Sequence, residues 1–374
     1  MPAHKTSAWP LAQAYAALIV YASLYPFEGW RDQGISPWAF LESPWPRYWT
    51  GFDLAANLAG YAPLGFLLAL ASLRRALAGG GKLHAIGLAT LCGALLSLAM
   101  ESVQTYLPAR VASNLDFGLN VVGTLGGALL AAALELAGAI DHWSRFRQRW
   151  FVADARGALV LLALWPFALL FPAAVPLGLG QVFERLETAL AEWLLDTPFL
   201  EWLPVRDVEL QPLVPGAELV CVALGALAPT LLGYSVMQSM QRRAAFAVLA
   251  IATGVAATAL SAALSWGPGH AWAWLSLPVR AGLVTALVLS LLLVPLPRRG
   301  CAALVLLALV VHLSLLNQAP ASAYFADTLQ AWEQGRFIRF HGLAQWLGWL
   351  WPFAVLVYVL VRVSRSDAPP RIAG

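Results

Sequence analysis

Of 374 residues, 60% are hydrophobic and 11% charged, and the mean hydropathy is +0.69. Soluble domains carry about a quarter charged residues, so no substantial part of this chain reads as a soluble domain. The net charge of +3 does not point to nucleic acid, because the basic residues sit in short clips between long apolar runs. Those unbroken runs also exclude a membrane β-barrel, whose strands alternate.

In hydrocarbon a backbone group has no water to bond, so each span must be a helix. With roughly 20 residues per crossing, ten spans are predicted, at 8–26, 54–73, 84–106, 116–137, 157–176, 217–239, 244–265, 279–296, 301–318 and 342–361. The fold class is all-α, a polytopic transmembrane helix bundle of about ten helices. The first run is read as a retained helix rather than a signal peptide. It has nearly full spanning length, only Lys5 before it, and no small-x-small site after it.

The basic residues orient the spans. With the N-terminus inside, Lys5, Arg74, Arg75, Lys82, Arg145, Arg147, Arg149, Arg156, Arg242, Arg243, Arg298, Arg299, Arg362, Arg365 and Arg371 fall on the cytoplasmic side. These are 15 of the 23 Lys and Arg. Both termini are therefore expected in the cytoplasm. Two domains are expected, 1–140 with four helices and 141–374 with about six, the basic stretch Asp141 to Arg156 being the seam between them.

The informative residues are polar groups inside apolar spans, where they are costly and mark function. The second span opens Asp53-Leu-Ala-Ala-Asn57-Leu-Ala-Gly60 and the fourth opens Asp116-Phe-Gly-Leu-Asn120-Val-Val-Gly123. In both, Asp, Asn and Gly share one helix face, and Gly lets a second helix approach closely, with Gly123-x-x-x-Gly127 reinforcing this. The third span carries Ser97, Glu101, Gln104 and Thr105 near its outer end. Glu101 lies six residues in from Leu107, about 9 Å deep. Asp53 and Asp116 also suit helix N-termini as caps, and Asn57, Gln104 and Asn120 suit hydrogen bonds between helices. Glu101 is placed too deep to cap a helix. The candidate ligand-binding set is Asp53, Asn57, Glu101, Gln104, Arg110, Asp116 and Asn120, converging on a patch open to the outside. Arg110, in the short loop 107–114, is placed to neutralise Glu101 or Asp116 or to hold an anionic head group.

Ten of the 17 Trp residues fall in external segments, namely Trp30, Trp38, Trp45, Trp49, Trp193, Trp202, Trp266, Trp272, Trp274 and Trp332. An aromatic belt at the membrane interface accounts for them, and so does an aromatic surface for sugars or acyl chains. Residues 182–195 form an amphipathic helix, with Leu186, Leu190 and Trp193 on one arc and Glu184, Glu187, Glu192 and Asp196 on the other. It is expected to lie on the interface as a lid, with Arg280, Arg336 and Arg339 as the external cations available to it. Cys92, Cys221 and Cys301 have neither zinc spacing nor an external pair, so they read as packing residues. No metal and no cofactor are expected.

The stretch Asp53 to Leu70, with Asn57, Tyr61, Pro63, Leu64 and Gly65, resembles the first signature of the VanZ-like family. The stretch Ser97 to Leu130, with Glu101, Gln104, Arg110, Asp116, Asn120 and Gly123, resembles its second, E-x-x-Q…R…D-x-x-x-N-x-x-G. The resemblance covers roughly residues 10–137. It implies a multi-pass protein of the bacterial cytoplasmic (inner) membrane and cell envelope. It also implies a link to glycopeptide resistance, since the family takes its name from an accessory protein for low-level teicoplanin resistance.

Three functions fit. The first is a non-catalytic protein binding an amphiphile, such as a lipid-linked cell-wall or polysaccharide precursor, in the outer leaflet. The second is an enzyme on such a lipid, with Glu101 as its general acid or base; otherwise no residue is catalytic. The third is a transporter or flippase, for which polar residues at the midplane of both halves are expected. The partners expected are the lipid bilayer and such a precursor, and no nucleic acid.

Overall fold

In the computed structural model, the described residues are 8–25, 27–46, 49, 51–75, 81–171, 173–202, 210–320 and 338–364, without the side chains of 52, 53, 75, 266 and 338–343. They form thirteen α-helices in two compact units, Met1–Phe146 and Arg147–Gly374. Seven helices are long and apolar enough to cross a membrane.

The first unit contains α1 (Ala8–Leu24), the short α2 (Ala39–Glu42), α3 (Gly51–Arg75), α4 (Lys82–Gln104), α5 (Asn114–Leu136) and the start of α6 (Ala139–Trp150). Glycine sets its central contact. A Cβ at Gly123 would run into the Leu58 carbonyl, one at Gly127 into the Ala62 carbonyl, and one at Gly65 into the Thr124 backbone. Residues 58 and 62 thus face 123 and 127 in ascending order, so α3 and α5 run parallel. The order reverses between α4 and α5, where Gly93 faces Thr124 and Ser97 faces Asn120, so α4 runs antiparallel to both. Without a hydrophobic force between helices in lipid, such backbone approach is what holds them. Gly60 has open space at its Cβ position. The approach expected there is made by Gly65 instead, more than a turn further along α3. Below the crossing, Ala69, Ala89, Ala128 and Ala131 close the core. At its far end Arg74 pairs with Glu135 at 3.1 Å and with Asp141 at 2.8 Å.

The second unit has α7 (Arg156–Ala168), α8 (Phe183–Leu194), α9 (Pro215–Val236), α10 (Gln241–Trp266), α11 (Leu277–Leu292), α12 (Arg298–Leu316) and α13 (Ile338–Ser364). From Cys221 to Val236 every residue of α9 except Leu224 is buried, because α7, α10, α11 and α12 surround it. This is the pattern of a helix apolar on all faces. All ten predicted spans correspond to helices, but α1, α7 and α11 are shorter than the other seven. The largest correction is at 157–176. With Pro166 inside it, α7 ends at Ala168, and the described residues from Leu169 to Val182 are irregular backbone, buried from Leu177 to Gly180.

Irregular backbone at such a position must find its partners in the protein. The Asn317 side chain accepts from Val182 N and Phe183 N at 3.0 and 3.1 Å and donates to Gly180 O at 3.1 Å. Gly180 N donates to Gly348 O, Gln181 Nε2 to Ala319 O and Ser261 Oγ to Leu170 O. Gly180 sits at φ +93°, a left-handed conformation open to glycine, while Leu177 adopts φ +61°. The same Asn317 oxygen therefore caps α8, the amphipathic helix expected over 182–195. The Arg185 guanidinium on α8 lies 5.0 Å from the Trp349 ring centre. Burial lowers the Arg185 pKa from its ordinary value, and Glu184 opposes that shift.

Candidate functional site

The seven residues singled out lie where α1, α3, α4 and α5 meet the loop joining α4 to α5, and the structure gives several of them specific duties. Asn57 Nδ2 on α3 donates to Asp116 Oδ1 on α5 at 2.7 Å. Asp116 stands in the first turn of α5, where a carboxylate meets the positive end of the helix dipole. Ser113 is the N-cap of α5, and its hydroxyl accepts from Asp116 N at 3.3 Å. In a capping box the carboxylate three residues on would bond the cap residue's own N–H. Here Glu101, from α4, does so instead: its Oε2 accepts from Ser113 N at 2.9 Å. This corrects the expectation that Glu101 lies too deep to cap a helix. The loop after α4 turns back, so the N-terminus of the next helix arrives beside a residue one turn inside the previous one.

Gln104 and Arg110 act at the other kind of helix end. Gln104 Nε2 donates to Ser23 O at 3.0 Å, and Arg110 donates to Tyr25 O. Both satisfy carbonyls at the C-terminus of α1, which have no partner within that helix. The carbonyls just past the end of α4 are met from residues 27–46, with Gln33 Nε2 on Thr105 O at 2.7 Å and Arg31 N on Tyr106 O at 3.0 Å. Asn114 Nδ2 reaches Ser43 O at 2.6 Å, and buried Phe40 meets Phe117 edge-on at 6.5 Å. The segment thus lies over the ends of α4 and α5. Trp30, Trp38, Trp45 and Trp49 on this side are exposed, as are Trp193, Trp202 and Trp272 of the second unit. Trp332, Arg336 and the side chains of Asp53, Trp266 and Arg339 lie outside the described residues.

Deeper by one turn is a polar floor. Asn120 is 4% exposed, and its Nδ2 donates to Ser97 Oγ at 3.0 Å, while its Oδ1 has no protein partner. Tyr61, 6% exposed, turns its hydroxyl towards Ser97 and lies within the field of Glu101, but makes no hydrogen bond of normal geometry. Glu101 itself is 4% exposed and so faces the bundle, not lipid. Asn57 and Asp116 are half-buried above this floor.

Sequence reasoning gave Ser97 and Tyr61 no place in the site. The signal was the spacing. Asn57 and Tyr61, Ser97 and Glu101, and Asp116 and Asn120 are each four apart, so each helix presents two polar turns on one face. Thr124 continues the third series but bonds Asn120 O of its own helix at 2.8 Å.

Residues 4–135 match the family model described as VanZ/LLP1. No curated protein and no solved structure matches the chain.

Proposed function

From a VanZ-like N-terminal unit inside a membrane-helix bundle, we propose a multi-pass protein of the bacterial inner membrane that binds the polar head of an amphiphile. The head enters between α3, α4 and α5 past Asn57 and Asp116. Glu101, Gln104 and Arg110 frame the site, Asp53 belongs to it by its place in the first turn of α3, and Asn120 lies at its floor. The observation that carries this reading is the Asn120 amide, buried with its oxygen unmatched. A buried polar atom without a partner costs about 1–3 kcal/mol, and a ligand group removes that cost. The basic clips support an orientation with the termini in the cytoplasm and the site at the outer face, where lipid-linked envelope precursors and glycopeptide targets are exposed. A role in antibiotic tolerance follows from occupying such a molecule.

The burial of two titratable side chains, Glu101 and Tyr61, in the same unit supports a second reading, an acid–base enzyme on the same lipid. One experiment serves both. The full chain in nanodiscs is incubated with a bacterial lipid extract, and retained lipids are weighed by mass spectrometry. A retained, unaltered amphiphile supports binding, a changed mass supports catalysis, and no enrichment over empty nanodiscs overturns both.

A further inference from the structure

The unmatched groups at the floor say what kind of head group the site takes, an inference that rests on the binding reading above. Four of the site's donor groups are already engaged. Asn57 Nδ2 serves Asp116, Asn120 Nδ2 serves Ser97, Ser113 N serves Glu101, and Arg110 serves Tyr25 O. The buried Asn120 Oδ1 can only accept, and the Tyr61 oxygen can accept as well. Asn120 Oδ1 therefore asks for a donor, and the Tyr61 oxygen can share it.

Charge points the same way. Over residues 27–53 and 101–116 the sequence has Glu28, Asp32, Glu42, Asp53, Glu101 and Asp116 against Arg31, Arg47 and Arg110. The excess of three acids draws in cations and disfavours a bare phosphate. Glu101 is buried, where its charge is weakly screened.

We propose that the site between α3, α4 and α5 takes a primary ammonium group, donated to Asn120 Oδ1 and Tyr61 Oη and held by the charge of Glu101. An ammonium brings three donors and a positive charge together. A quaternary ammonium carries the charge without an N–H, and a glycerol head carries donors without the charge. The site therefore separates these three chemistries. The amine can belong to an aminoethyl-phosphate lipid or to a soluble amine, and the test distinguishes the two.

The full chain is reconstituted in nanodiscs holding equal parts phosphatidylethanolamine, phosphatidylcholine and phosphatidylglycerol, and lipids co-purifying after detergent exchange are counted by native mass spectrometry. Free phosphoethanolamine is added in a parallel arm as competitor. The expected result is about tenfold enrichment of phosphatidylethanolamine over phosphatidylcholine, equivalent to about 1.4 kcal/mol. If phosphoethanolamine binds and the lipid is not enriched, the amine assignment stands with a soluble source. Preference for phosphatidylglycerol or phosphatidylcholine overturns the amine assignment and leaves amphiphile binding intact. Retention of neither lipid nor amine overturns the binding reading itself.

Two variants localise the effect. In S97A/N120L both partners of a buried hydrogen bond become apolar together, an exchange close to neutral for folding. E101Q retains an oxygen for Ser113 N while removing the charge. Both are expected to keep a monodisperse, helical protein and to lose the enrichment. Should either variant fold and still select the amine as the parent does, the site is wrongly placed. If both misfold, Tyr61→Phe, which removes only the hydroxyl, decides: unchanged selectivity overturns the assignment and a several-fold loss supports it.

Discussion

The Asn57 amide meets the Asp116 carboxylate across 2.7 Å, joining two helices that run in the same direction. Such a bond at the end of a close helix crossing fixes both rotation and depth, whereas the glycine contacts alone permit sliding along the groove. Interhelical hydrogen bonds in membranes contribute about 0.6 kcal/mol on average, up to about 1.7. Asp116→Asn is accordingly expected to cost no more than about 1 kcal/mol, because the amide oxygen still accepts. Asp116→Leu is expected to cost more, since it strands the half-buried Asn57 amide. Thermal unfolding of the two variants in one detergent checks the ranking.

The glycines give a paired prediction. Gly127→Ala places a methyl on the Ala62 carbonyl, which is backbone and cannot turn aside, so a loss of about 1–3 kcal/mol is expected. Gly60→Ala meets open space and gains helix propensity of up to about 1 kcal/mol. The melting midpoint should fall for Gly127→Ala and stay level or rise for Gly60→Ala. Equal behaviour of the two would contradict the crossing.

Arg243 is 2% exposed and donates to Tyr234 O at 2.9 Å, to Val294 O at 2.8 Å and to Leu296 O at 2.5 Å. It thereby ties the last turn of α9 to the turn that follows α11. Hydrogen bonds from a charged donor contribute about 1.5–3 kcal/mol each, so Arg243→Met is expected to lower stability by at least about 3 kcal/mol. Arg242→Met serves as the comparison: that residue is half-buried, donates to one carbonyl, Arg149 O, at 2.9 Å and lies over the Trp150 ring at 4.6 Å. Denaturant titration of the two proteins gives the comparison.

Asn317→Leu keeps approximate size and removes the clamp on the irregular segment. The amides of Val182 and Phe183 are expected to exchange with deuterium at least tenfold faster, while those in the middle of α9 keep their protection. Uniform acceleration across the second unit would mean that Asn317 holds the whole unit and not this segment.

The proposed orientation follows from the basic clips. Alkaline phosphatase fused after Pro215 is expected to be active, and green fluorescent protein fused after Gly374 to fluoresce. An active phosphatase at the C-terminus would reverse it.

Much of this architecture was legible in the sequence, because span length and apolar continuity are imposed by the bilayer itself. Each of the ten predicted segments holds a helix. The failure at 157–176 has a physical cause. An average of apolarity over a window cannot distinguish a helix from irregular apolar backbone whose hydrogen bonds come from elsewhere. Those bonds depend on Asn317, Ser261 and Gly348, each remote in sequence. The polar stripe on α3, α4 and α5 was legible from its spacing of four. The capping by Glu101 was not, since it depends on how the loop after Gln104 folds back, and burial depth measured along one helix says nothing about the end of another. Similarly, Gly60 and Gly65 look alike in sequence, and only the register of the crossing separates them.

The parallel arrangement of α3 and α5 has a consequence for how the protein is made. Adjacent spans in a chain insert as hairpins, but two neighbours that run the same way cannot be a hairpin. Their contact waits until α4 has crossed back and α5 has followed. During synthesis, α3 therefore resides in the bilayer with the Asn57 amide and the Gly65 face without their lasting partners. In this interval, absent once the chain is complete, those groups lack the contacts that the folded unit gives them. It ends only when residues 114–136 have left the ribosome.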